Sequence, residues 1–185
     1  FFFKQKTAYE IPLPVELCVD VIKRQPKGLG YPESDGRCAA LKKKLRSLII
    51  RMIEEEKVTH FISGMAQGVD MYAAEIVLDL KQTYPYITLE CAIPYEEQAA
   101  HWSAALRNRY FSIAERCDQE TMLQTHYTQD CLWKRNQYMV DHADIVLAVC
   151  NMRLHSGSKQ TVLMALRRLK PIWLVFPDTL ELSIL

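Results

Sequence analysis

Ser63-Gly64-Met65-Ala66-Gln67-Gly68-Val69-Asp70 is the stretch of this 185-residue chain whose residue types and spacing best suit binding chemistry. It lies between a short β-branched and aromatic run, Val58-Thr59-His60-Phe61-Ile62, and a pattern in which Val69, Ala73, Ile76, Val77 and Leu80 recur at three- and four-residue intervals. The first reads as a buried strand of a parallel sheet, the second as a helix with one apolar face. A strand that turns sharply into a helix leaves unpaired N–H groups at the helix start, where the macrodipole also favours an anion such as phosphate. Gly64 and Gly68 let a ligand approach the backbone and let the chain adopt φ > 0 where the turn needs it. Met65 lies between them. Asp70, near the first helical turn, suits either capping or a hydrogen bond from a ribose hydroxyl. The G-x-x-x-G spacing is not the full dinucleotide fingerprint and lacks the G-K-[ST] of a nucleotide-hydrolysing loop, so a tight turn without a ligand is the alternative.

A second segment repeats the design. Residues 143–150 form the clearest buried-strand run, and Ser156-Gly157-Ser158-Lys159-Gln160-Thr161 then enters a helix reaching Leu169. Two helix N-termini on neighbouring strands suit the two ends of one phosphate-bearing ligand, which adds Ser156, Gly157, Ser158 and Thr161 to the candidate site. Arg135 and Asn136 lie on a helix that Asp130 opens and His142 closes. A cationic fork beside an amide suits phosphate or ribose, and surface solvation is the equal alternative.

The elements that would position these residues alternate between the two periodicities. Val15, Leu17, Val19 and Val21 alternate within residues 12–21, compatible with a strand, and residues 25–32 form a Pro- and Gly-rich loop. Leu41, Leu45, Leu48, Ile49, Met52 and Ile53 mark the buried face of a helix that follows Ser34-Asp35-Gly36. Residues 86–93 read as a strand stopped by Pro94. Residues 101–117 read as a helix with Trp102, Leu106, Tyr110 and Ile113 in period; residues 121–123 read as a short strand and residues 170–176 as a final one. Helices alternating with strands in this order predict an α/β domain with a parallel sheet, whose ligands collect beyond the carboxyl ends of the strands.

Composition is that of an ordinary globular chain, with 49% hydrophobic and 24% charged residues and a formal net charge of +1. That charge argues against a broad footprint for duplex DNA. Lys42, Lys43, Lys44, Arg46 and Arg51 read as the solvated outer side of their helix. No apolar run approaches the roughly 20 residues that span a bilayer, so the expectation is a cytoplasmic protein without a membrane partner. The six cysteines and five histidines are scattered, which predicts reduced thiols and no metal site. Phe1-Phe2-Phe3-Lys4-Gln5-Lys6-Thr7-Ala8-Tyr9-Glu10-Ile11 resembles a translated sequencing-adapter read and is set aside from fold reasoning.

The 61–80 segment resembles the YpsA-like family of the SLOG superfamily, which also contains DprA and the LOG phosphoribohydrolases. So do Leu89-Glu90-Cys91-Ala92-Ile93-Pro94, Trp102, Arg109-Tyr110, the run from Trp133 through Arg135-Asn136-Gln137 to Asp141, and Ser156-Gly157-Ser158. The match covers roughly residues 26–176. It implies a Rossmann-like three-layer sandwich with a mostly parallel central sheet and a pocket for a nucleotide or nucleotide-derived ligand such as NAD or an ADP-ribose-like compound. The expected organisation is an N-terminal segment 1–25 and a single domain 26–185. Family members begin with a strand running into Thr-Gly-His-Arg-Pro; Ile22-Lys23-Arg24-Gln25-Pro26 stands there, which suggests a frame shift or chimeric join. LOG-type hydrolases carry Pro-Gly-Gly-x-Gly-Thr-x-x-Glu, and the position of that acid/base Glu falls on Thr161. Binding, as a sensor or adaptor domain, is therefore favoured over catalysis. The alternatives are hydrolysis of a nucleotide N-glycosidic bond by Asp70 or Glu75, and single-stranded DNA binding in the manner of DprA through Lys134, Arg135 and the Lys42 to Arg51 helix. A protein partner and self-association are both left open.

Overall fold

The computed structural model describes residues 15–21, 29, 31–152 and 157–185, with the backbone alone at 15–21. The adapter-like start, the stretch at 22–26 and Ser156 lie outside the described residues. In chain order the elements are β1 (Val15–Val21), α1 (Gly36–Glu54), β2 (Val58–Ser63), α2 (Val69–Leu80), β3 (Thr88–Ile93), α3 (Ala104–Ala114), β4 (Gln119–Met122), α4 (Cys131–His142), β5 (Ile145–Val149), α5 (Gly157–Arg167), β6 (Ile172–Val175) and β7 (Leu182–Ile184). They build one sheet in the order β4-β3-β2-β1-β5-β6-β7. Every neighbouring pair is parallel except β6 and β7. This is the Rossmann-like α/β sandwich with a mostly parallel sheet.

Side chains alternate between the two faces of each strand, and both faces are covered, which is why the strands read as nearly continuous apolar runs. Phe61, Leu89, Cys91 and Leu147 pack into one layer with the apolar stripe of α1 and with Ala73 and Val77 of α2. Ile62, Ala92, Val146 and Ala148 face the other way, against Met139 and Val140 of α4 and Val162 and Ala165 of α5. The chain winds outward from β1 through β2 and β3 to β4, then crosses back to lay β5 on the opposite side of β1. That reversal makes the carboxyl ends of β1 and β5 the switch point where open α/β sheets take their ligands.

Three local features depart from the sequence expectation. The helix expected over 101–117 begins only at Ala104, because the Ser103 hydroxyl caps it by accepting from the Leu106 N–H at 3.4 Å. Trp102 stays in the preceding loop, its ring edge-on to Tyr110 at 5.5 Å. The chain also continues past β6 into β7, a three-residue antiparallel edge strand too short to show alternation. Cys38, Cys91, Cys117 and Cys131 are free thiols. Among the described residues no helix is long and apolar enough to cross a membrane.

Candidate functional site

The loop between β2 and α2 is closed on itself by two side chains seven residues apart. Ser63 ends β2 and donates its Oγ–H to the Asp70 carbonyl at 3.1 Å while accepting from the Met65 N–H at 3.2 Å. Asp70, fully buried, accepts from the Ala66 N–H at 3.0 Å through Oδ2. Between these anchors Met65 takes a left-handed conformation with φ 54°, which costs a residue with a Cβ about 1–2 kcal/mol. Both of its backbone groups are held, the N–H by Ser63 and the carbonyl by the Gln98 amide at 2.7 Å. Gly68 follows at φ 99°, ψ −128°, a region that only glycine adopts without strain, and it starts α2 with no side-chain cap.

Arg135 and Asn136 are internal, which removes the surface-solvation alternative that the sequence left open beside contact with phosphate or ribose. Arg135 is 3% exposed; its Nη1 donates to the Gly64 carbonyl and its Nε to Asn136 Oδ1 at 2.7 Å. The guanidinium also lies 3.7 Å from Asp70 Oδ2, so the buried carboxylate and the buried cation compensate each other. Gly64 is required here because a Cβ would come within 2.6 Å of Arg135 Cζ. Asn136 reaches the other way, donating Nδ2–H to Thr161 Oγ1 at 2.8 Å, and Thr161 donates in turn to the Gly157 carbonyl at 3.3 Å. Two consecutive residues of α4 thus bind the start of α5 to the loop that opens α2. The structure brings Ser63, Gly64, Met65, Asp70, Arg135, Asn136, Gly157 and Thr161 into one connected network.

The two helix N-termini are electrostatically unlike. Asp70 sits in the first turn of α2, so the negative charge favoured there is supplied by the chain itself. The first turn of α5 holds no acidic residue. It does hold Ser158, completely buried, with an Oγ that meets no hydrogen-bond partner among the described residues. A hydroxyl can turn its proton toward an anion, so this end of the network is the better phosphate seat.

The side chains proposed for hydrolysis or DNA binding are committed elsewhere. Glu75 is gripped by both Nε and Nη2 of Arg109, each at 2.5 Å, and Arg109 also pairs with Glu33 at 2.9 Å. The hydrogen bonds that Arg109 donates to Glu75 outweigh desolvation and raise the pKa of Arg109. Asp70 is buried against Arg135 rather than turned toward a ribose. Lys42 pairs with Glu33, Arg46 with Asp79, Arg51 with Glu55 and Lys134 with Asp130, so four of the cations expected to track a nucleic-acid backbone carry carboxylate partners at the surface.

Sequence reasoning missed two participants. Gln98 looked like one polar residue in a loop after Pro94; only the three-dimensional approach of that loop to Met65 shows it as a strut. Glu90 on β3 is the second. It is buried under α4, where His60 Nε2 lies 3.0 Å from Oε2 and Tyr138 donates to Oε1 at 2.8 Å. Burial alone would raise its pKa, but the bonds from His60, Thr121 and Tyr138 prevail and hold it below the ordinary carboxylate range.

Comparison with known proteins follows the fold. The model of the YspA SLOG family matches residues 25–178. A UPF0398 protein of Halalkalibacterium halodurans is 35% identical over 111 residues, covering 59% of this chain and 58% of the relative. The UPF0398 protein YpsA of Bacillus subtilis is 26% identical over 168 residues, covering 86% of this chain and 92% of the relative. YoqJ, an uncharacterised SPbeta prophage-derived protein of the same species, is 30% identical over 156 residues, covering 75% and 88%. The chain spans only 58% of the length of the Halalkalibacterium relative and 64% of that of a UPF0398 protein of Brevibacillus brevis.

Proposed function

The chain belongs to the YspA SLOG family, and from that membership we propose that it binds a nucleotide-derived ligand across the carboxyl ends of β2 and β5, acting as a cytoplasmic sensor or adaptor domain. One observation carries the reading. The Arg135-Asn136 pair ties two strand-to-helix loops together beside Ser158, a buried hydroxyl that has no partner among the described residues and sits in an acid-free first helical turn. Such a turn attracts phosphate, and Gly68 leaves room around the second loop, where a Cβ would meet nothing within 4 Å. The nucleoside part of the ligand then lies toward the 63–70 loop, and NAD or ADP-ribose-like compounds are long enough in kind to touch both.

The test is a thermal-shift screen of the full chain with AMP, ADP, ATP, NAD and ADP-ribose. A ligand at 100 times its Kd adds about 2.7 kcal/mol of stability. We expect at least one to raise the melting temperature, and Ser158→Ala to weaken that shift. No shift with any of the five, in protein that unfolds cooperatively, overturns the reading.

A further inference from the structure

Gln98 carries an unmet hydrogen-bonding capacity that the loop's own structure does not explain. Its residue is 8% exposed, in the segment between β3 and α3. Which amide atom is which follows from the chemistry of its partner. The Met65 carbonyl can only accept, so the atom 2.7 Å from it is the donating Nε2. Oε1, on the same carboxamide, is therefore a pure acceptor beside the 63–70 loop, and among the described residues it meets no donor. It is also closed off from bulk solvent. A buried acceptor left unpaired is costly, which makes its retention here a matter for explanation.

Ser158 is the complementary case at the other end of the network. Its hydroxyl can donate, whereas Gln98 Oε1 can only accept. A molecule satisfying both has an anionic end and an N–H or O–H donor end, as a nucleotide does through its phosphate and through either an amino group of the base or a ribose hydroxyl.

Resting on the binding function proposed above, we infer that Gln98 is a specificity-determining residue whose Oε1 accepts a hydrogen bond from the nucleoside part of the ligand. The Nε2 bond fixes the carboxamide through the strained Met65 turn, so the acceptor is held before the ligand arrives. The ligand's donor reaches it as the side chains that cover Oε1 give way, the Nε2 bond to the Met65 carbonyl staying made. A site built around such an acceptor rejects analogues that lack the donor, because the buried oxygen then stays unpaired.

The experiment is calorimetric titration of the full chain with AMP, purine riboside 5′-monophosphate and 2′-deoxy-AMP. The second lacks only the exocyclic amine and the third only a ribose hydroxyl; all three keep the phosphate. Each titration is repeated on Gln98→Met. We expect the wild-type protein to bind one of the two analogues about tenfold more weakly than AMP, the arm that weakens naming the donor. We expect that difference to fall to within about twofold in Gln98→Met. A strut that only shaped the loop would weaken all three ligands together and leave the ratio unchanged. Should Gln98→Met fail to fold, Gln98→Lys keeps a donor for the Met65 carbonyl and still removes the acceptor. Equal binding of the three ligands by the wild-type chain, or a preference that survives in both variants, overturns the assignment of Gln98 while leaving nucleotide binding standing. If none of the three binds and the five-ligand screen is also silent, the binding function itself has failed.

Discussion

Gly64→Ala tests whether the buried clasp between α4 and the 63–70 loop holds this part of the fold. Gly64 is not among the residues with positive φ, so alanine brings no left-handed strain, and the reduced freedom of the unfolded chain would favour the variant by about 0.4–1 kcal/mol. The added Cβ, however, would stand 2.6 Å from Arg135 Cζ and 3.0 Å from Nε, closer than carbon and nitrogen tolerate. Arg135 is 3% exposed and has no route to solvent without leaving Asp70 and the Gly64 carbonyl. Overpacking costs about 1–3 kcal/mol, and the loss of a charge-assisted buried bond about 1.5–3. The net expectation is about 2–5 kcal/mol of destabilisation, read as a fall in the urea midpoint of about 1–3 M at an ordinary dependence on denaturant. The same substitution in an Arg135→Ala background should cost less than about 1 kcal/mol, since the atom it strikes is gone. A Gly64→Ala protein within about 0.5 kcal/mol of wild type, or one equally destabilised without Arg135, refutes the clasp.

Asn136→Ala should cost about 1–3 kcal/mol in urea unfolding, because Thr161 loses its donor in a buried setting. Gly68→Ala should cost about 1–3 kcal/mol from its φ of 99° alone; Gly68→Glu should match it in stability but lose the nucleotide thermal shift that Gly68→Ala retains. Glu90 has a depressed pKa, so its contribution is present above its ordinary unfolded value near 4.5 and disappears as pH falls through the lower folded value. Urea midpoints across pH 7 to 3 should therefore fall less steeply below about pH 5 in Glu90→Gln than in the wild-type chain, and parallel profiles would contradict the assignment.

The fold was largely legible because local and global signals agree in it. Val58 to Ile62 carries strand chemistry, the 3.6-residue period starts at Val69, and small residues fill the gap. That combination admits little besides a strand-loop-helix unit, and β2 and α2 follow it closely. Apolar runs on both sides of each helix similarly announced a sheet covered on two faces. The limits were set by residues whose role depends on distant partners. The sequence leaves Arg135 between a ligand contact and a solvated surface cation; its burial requires a glycine 71 positions earlier that makes room for it. Gln98 is silent in sequence for a related reason, since its partner is a backbone carbonyl exposed by the unusual φ of Met65.

Those same long-range contacts bear on whether the site binds or cleaves. A glycosidase needs a carboxylate that meets the reacting bond and a proton that can travel to it. Asp70 has instead been drawn into the loop's own scaffold, accepting from Ala66 and neutralising Arg135, while Glu75 is held at the far side of α2 by Arg109. Freeing Asp70 for catalysis would strand a buried guanidinium, at a cost of about 3–5 kcal/mol. That cost makes Asp70 a positioning residue whose charge stiffens the loop. Among the described residues the Ser158 hydroxyl and Gln98 Oε1 are buried neutral groups that meet no hydrogen-bond partner, and on the proposed binding function they are the groups that would recognise the ligand. On the proposed function the charges divide the labour: the ionised side chains hold the loops together, and the uncharged ones meet the ligand.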